Sequence, residues 1–222
     1  MQYRKKITIS RNLDTKHLFK QTVRMPRITL LLLALGLFSC SDFVEVGPPE
    51  NILVSETVFN DAATVESALA NIYYKMREQG MVSGNFGLTT GLGIYSDELD
   101  YYGFDTGYSQ LNLHNVLPGN DVITGWWSQG YYLIYSANDV IKGVENSNKL
   151  TAMEQDQFKG QALFVRCYMH SLLVALYGDI PYITTTDYLD NNIVVRNTET
   201  TVMDNILSDL TLAVDLLEGV DV

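Results

Sequence analysis

The feature that most restricts this chain is residues 162–178, ALFVRCYMHSLLVALYG. The run is apolar nearly all round, closes on Gly178 and is barred from continuing by Pro181. A helix with no polar face is buried on most of its sides. It therefore needs neighbours, and the flanking sequence supplies them. Positions Val65, Ala68, Leu69, Ile72, Tyr73 and Met76 repeat at helical spacing, predicting a helix over 61–79 capped by Asn60 or Asp61 and closed by Gly80. A second helix is expected over 122–145, with Trp127, Tyr131, Ile134, Tyr135, Asn138 and Ile141 on one face. The central helix is expected over 152–177. A fourth follows over 199–218, striped by Val202, Ile206, Leu210, Ala213, Val214 and Leu217. Long consecutive helices with modest connections predict antiparallel pairs stacked as a tetratricopeptide-like solenoid, a mainly α fold. No strict 34-residue repeat is visible, so helix lengths carry that expectation.

The intervening segments have a different character. Residues 80–120 are glycine-rich and contain no Lys or Arg. No helical stripe persists there, and a long irregular loop is expected, with a short strand or helical turn at 94–99. Residues 179–190 are expected to be extended.

Charge is divided sharply along the chain. Residues 1–40 carry eight of the 15 Lys and Arg but one of the 26 acids, Asp14, leaving 7 bases and 25 acids, a balance of −18, for the remainder. Such a body repels a phosphate backbone, so nucleic acid is excluded as a partner. The basic leader is followed by an uncharged run over 28–38, ITLLLLALGLF. Eleven residues are too few to span a bilayer, which needs about 20, but they suit the core of a signal peptide. The run ends in Leu37-Phe38-Ser39-Cys40, which resembles a bacterial lipobox. Residues 1–39 are accordingly read as a signal peptide, with Met25 the expected start of translation. Cys40 is read as the lipidated residue, and 41–60, interrupted by Pro48-Pro49, as an extended tether. Cys167, the other cysteine, falls in the central apolar helix and is read as a core residue.

Several segments resemble one known family. In order they are Cys40 with SDFVEVGPPE, FNDAATVESALANIYYKMRE, SDELDYYG, YSANDVIKGVE and FKGQALFVRCYMHSLLVALYGDIPYIT. The most specific are Ala137-Asn138 and the Arg166 helix running into Tyr177-Gly178-Asp179-Ile180-Pro181. Together they are similar to the N-terminal part of SusD/RagB-family lipoproteins of Bacteroidetes, over residues 28–222. The resemblance implies a tetratricopeptide-like fold, an outer-membrane lipid anchor and surface exposure. It also implies capture of oligosaccharides or other nutrients for a SusC-like TonB-dependent transporter, without catalysis. Family members are usually more than twice this long. Residues 61–222 are therefore expected to form the N-terminal α-helical region, truncated at its C-terminal side. A non-functional or structural remnant is the alternative, and a surface-anchored glycan hydrolase a more distant one.

The expected ligand contacts lie in the densest group of acids and aromatics: Asp97, Glu98, Asp100, Tyr101 and Tyr102. Carboxylates accept sugar hydroxyls, and tyrosine offers a ring and a hydroxyl. Trp126 joins them as a stacking face. Asp97 and Glu98 are adjacent, a poor arrangement for the flanking acid pair of a glycosidase, so no catalytic residue is assigned. No metal or cofactor is expected: His114 and His170 stand alone, no EF-hand spacing occurs, and Gly91-Leu92-Gly93 lacks the following lysine of a phosphate loop. Arg166, inside an apolar helix, must be paired, and Asp179 or backbone carbonyls are the expected partners.

Overall fold

A computed structural model describes residues 55–78 and 81–218. The expected signal peptide, Cys40, most of the tether and Gly80 lie outside the described residues. The chain from residue 55 onward is helical, with no strand among the described residues. Four long helices carry the fold: α2 (Ala62–Glu78), α5 (Asp121–Asn146), α6 (Ala152–Tyr177) and α8 (Glu199–Leu217). Four short ones fill the connections: α1 (Ser55–Val58), α3 (Leu88–Tyr95), α4 (Thr106–Asn112) and α7 (Tyr188–Asn191). The fold is the expected mainly α, tetratricopeptide-like arrangement.

The long helices start where their caps say they should. Asp61 Oδ1 accepts from Ala63 N at 2.8 Å, and Asn120 Oδ1 accepts from Val122 N and Ile123 N at the head of α5. Thr151 and Glu154 form a reciprocal capping box on α6. Thr198 Oγ1 accepts from Thr201 N at α8. Gly178 ends α6 with φ +68°, ψ −126°, backbone open to glycine and not to L side chains.

Helix α6 is the hub: α2, α5 and α8 all pack on it. It runs antiparallel to α5, with Tyr177 OH donating to Ile123 O at 2.6 Å, and antiparallel to α8, with Cys167 beside the Ile206 carbonyl. The apolar residues of its second half divide accordingly. Val165, Met169 and Leu173 are buried, while Phe164 is half exposed on an outer face that carries no charged residue from 164 to 175 apart from buried Arg166.

Two departures from the expected elements stand out. The 80–120 region is not one irregular loop; α3 and α4 lie in it and pack on each other. Helix α3, LTTGLGIY, buries Gly91 and Gly93 together with Leu88 and Ile94. Its helicity is imposed by packing, which intrinsic glycine propensity opposes. Likewise, α1 occupies the end of the expected tether, and Phe59 after it is buried, its carbonyl accepting from Ser147 Oγ at 2.5 Å.

Arg166 finds a different partner from the expected Asp179. Its Nη2 and Nε donate to Asp209 Oδ2 on α8 at 2.6 and 3.0 Å, and Nη1 donates to Asn138 Oδ1 on α5 at 2.9 Å. Asp179 instead accepts from Glu199 N at 3.0 Å, at the start of α8. The same cluster ties down the extended strap over 180–186. Tyr182 OH donates to Asp209 Oδ2 at 2.6 Å and Asn138 Nδ2 donates to Ile183 O at 3.1 Å. Ile183 N donates to His170 Nε2 at 3.1 Å, which leaves the other ring nitrogen, Nδ1, to donate to Arg166 O at 2.9 Å. Both nitrogens of a neutral imidazole are thus satisfied, and burial pushes the His170 pKa down to about 4. Cys167 is a buried free thiol, its pKa raised to about 11 by burial first and by the Asp209 charge second.

Candidate functional site

The two tryptophans leave α5 about 100° apart, as neighbours on a helix must. Trp126 is 3% exposed. Its ring lies where a methyl on Gly91 of α3 would stand, which explains the glycine there. Its indole Nε1–H donates to Phe86 O at 2.7 Å. That bond fixes the 81–87 segment over the start of α5.

A cavity of about 340 Å³ opens beside this junction. Met81, Phe86, Tyr108 and Trp126 give it an apolar and aromatic wall. Asp105, Asp121 and Gln129 give it polar groups, and Val122 with Gly125 completes the α5 side. Each part has a local cause. Asp105 caps α4, its Oδ1 accepting from Tyr108 N at 3.0 Å. Asp121 occupies the first turn of α5, where the helix dipole favours an anion. Tyr108 is buried, its OH donating to Asn85 O at 2.8 Å, and its pKa is raised by burial first, then by Asp105 and Tyr101. Phe86 remains 71% exposed at the rim.

Of the sequence-derived candidates, Trp126 lines this cavity as its floor. Tyr101 stands behind the wall: its ring lies 5.5 Å from that of Tyr108, and its OH accepts from Asp105 N at 2.9 Å. Asp97, Glu98, Asp100 and Tyr102 are exposed and outside the lining. Tyr102 is 87% exposed, its OH donating to Asp100 Oδ2 at 3.2 Å. Asp97 has φ +61° and sits 3.8 Å from His114 Nε2. Phe86, Asp105, Tyr108, Asp121 and Gln129 were not among the candidates. The only available signal was local: Asp105 and Asn120-Asp121 have the form of helix caps, which places helix starts, and hence a junction, at those points.

A second aromatic surface lies on the adjacent face of α5. Trp127, Tyr131 and Tyr135 follow one another at four-residue intervals and, with Pro181, Ile183, Asn191 and Val194, line a groove of about 300 Å³. Trp127 lies 4.8 Å from Tyr131 and meets Tyr177 edge-on at 5.0 Å, with the Arg196 guanidinium 6.0 Å from its ring. Tyr131 OH donates to Pro181 O at 2.8 Å, so the strap forms the far wall.

Residues 42–220 match a SusD-like family described as starch-binding, associating with outer membrane. The chain belongs to the SusD-like family. A SusD-like protein of Formosa agariphila is 29% identical over 199 residues, covering 86% of this chain and 38% of the relative. A second SusD-like protein of that organism is 23% identical over 201 residues, covering 84% of this chain and 36% of its own length. A SusD-like protein of Bacteroides ovatus is 26% identical over 191 residues, 83% of this chain and 33% of the relative. The chain thus spans about a third of the length of these curated relatives. The SusD-like fold is equally plain in solved structures. A SusD superfamily protein of Bacteroides vulgatus superposes with a TM-score of 0.62 at 19% identity, over 73% of this chain and 36% of that one. A SusD-like carbohydrate-binding protein of Bacteroides fragilis superposes with a TM-score of 0.59 at 17% identity, over 72% of this chain and 32% of that one. No described helix is long and apolar enough to cross a membrane.

Proposed function

We propose that this SusD-like chain is a surface-exposed lipoprotein that captures glycans for a SusC-like TonB-dependent outer-membrane transporter, held to the membrane by a lipid on Cys40. It binds and does not catalyse. The observation that carries the reading is the cavity at the α4–α5 junction, in a chain whose family is described as starch-binding. An apolar wall with a few convergent acceptors suits a sugar, whose C–H faces stack on aromatics while its hydroxyls donate to carboxylates and amides. Phe86 is the exposed ring, Asp105, Asp121 and Gln129 the hydrogen-bonding groups, and Trp126 the floor. The 97–102 loop stands alongside, where Asp97, Glu98, Asp100 and Tyr102 extend contacts to a longer oligosaccharide and Tyr101 braces Tyr108.

The test is a glycan array on the full chain, with each hit confirmed by calorimetry. Phe86→Ala is expected to weaken binding by about 30-fold, as for an aromatic hot spot worth about 2 kcal/mol, and Tyr102→Ala by less. Unchanged affinity in Phe86→Ala removes the cavity from the reading. Cell fractionation of Cys40→Ser tests the anchor: the variant should leave the outer-membrane fraction.

A further inference from the structure

We infer that the aromatic groove along Trp127, Tyr131 and Tyr135 is a second glycan-binding site, in which a sugar hydroxyl donates to Asn191 Oδ1. No residue lines both this groove and the cavity beside Phe86, so the inference goes beyond the capture site proposed above.

The observation that points to a ligand is Asn191. Its Oδ1 is, among the described residues, the one buried side-chain nitrogen or oxygen with no hydrogen-bond partner. Turning the amide end for end does not cure this. Nδ2 donates to Thr185 O at 2.9 Å, and a carbonyl there requires the nitrogen, so the oxygen is the unmet atom. An acceptor buried without a donor is destabilising, and native structures keep few of them. Asn191 borders the groove, so a donor entering there meets Oδ1 after a slight turn of the amide.

The other walls suit the rest of a sugar. The three rings follow one another at four-residue intervals, about 6 Å apart along the helix axis, and Tyr135 is 49% exposed. The Arg196 guanidinium stands 6.0 Å from the Trp127 ring. It uses one N–H on Asp179 O at 3.4 Å and has no carboxylate within 4.0 Å among the described residues, so its other donors are open to ligand oxygens. A pyranose brings a C–H face for the rings, hydroxyl donors for Asn191 and oxygens for Arg196. A peptide fits less well. In the strap, Pro181 O, Tyr182 N, Ile183 N and O and Thr185 O are already bonded to side chains, which leaves no continuous edge for an added strand. A polyproline segment would stack on the rings, but it brings carbonyl acceptors where the unmet buried group is itself an acceptor.

The test is calorimetry with maltohexaose and cellohexaose, on the full chain and on Phe86→Ala, which weakens the cavity. At least one hexaose is expected to keep binding to Phe86→Ala. That binding should fall about tenfold when Tyr135→Ala or Asn191→Ala is added. Asn191→Ala removes the orphan acceptor together with one hydrogen bond, so the melting temperature should stay close to wild type; a residue that only holds the strap would lower it. Residual binding that neither change weakens overturns the inference and leaves the cavity reading standing. Binding confined to the chain with Phe86 in place does the same. Binding of neither hexaose by either form overturns the groove as a glycan site, while the array decides the cavity separately. Hexaproline that displaces the bound hexaose at lower concentration than the sugar itself assigns the groove to a proline-rich segment and overturns the sugar.

Discussion

His170 shows how one residue can set a condition on the whole fold. Its two ring nitrogens are committed, Nε2 as acceptor from the strap and Nδ1 as donor to α6, so a second ring proton would point N–H at N–H. The imidazole is neutral when folded, with a pKa near 4 against an ordinary value of 6.5. Between those values the unfolded chain binds a proton that the fold refuses, so stability falls as pH falls. The contribution is complete above pH 6.5, declines toward pH 4 and stops changing below it. Urea denaturation at pH 7 and pH 5, before most carboxylates titrate, should show a loss of about 2 kcal/mol from this group. His170→Gln should flatten that dependence. An unaltered slope in the variant would assign the acid sensitivity elsewhere. The Arg166 partnership belongs to the same scale. Sequence correctly demanded a partner for a guanidinium in an apolar helix. It named Asp179, 13 positions away, rather than Asp209, 43 positions away, because distance along the chain is all a sequence displays.

At the scale of elements, the turn from α6 into the strap depends on one backbone conformation. Gly178 holds φ +68°, ψ −126°, and a methyl there would meet nothing within 4 Å. The effect of Gly178→Ala is therefore purely conformational, an expected loss of about 1–3 kcal/mol in urea denaturation. A variant as stable as the wild type would show that the turn relaxes freely. The four long helices were legible to within a residue or two because periodicity and caps agreed, with Gly178 closing α6. Helices α3 and α4 were not. LTTGLGIY has glycines at 91 and 93 where a helix former would normally stand, since Trp126 and Leu99 occupy the space of their side chains. Only the folded neighbour reveals that requirement. The cavity was hidden for the same reason. Its walls come from three separate segments, around 81–86, 105–108 and 121–129, and only Trp126 among them carries a signal that the sequence itself displays.

Across the whole molecule, α6 supports the aromatic groove from two directions: its end bonds to α5 through Tyr177, and His170 and Arg166 hold the strap that forms the far wall. The paired tryptophans on α5, the only two in the chain, divide between the cavity beside Phe86 and this groove. One indole is enclosed and hydrogen-bonded; its neighbour lies among tyrosines with a guanidinium over its ring. The protein therefore contains two optical reporters at adjacent positions, one buried and one partly exposed. Acrylamide should quench the emission in two phases, the accessible one removed by Trp127→Phe and the resistant one by Trp126→Phe. A ligand entering beside Phe86 should perturb the blue-shifted component alone, so light emission would tell which face of a single helix had been occupied.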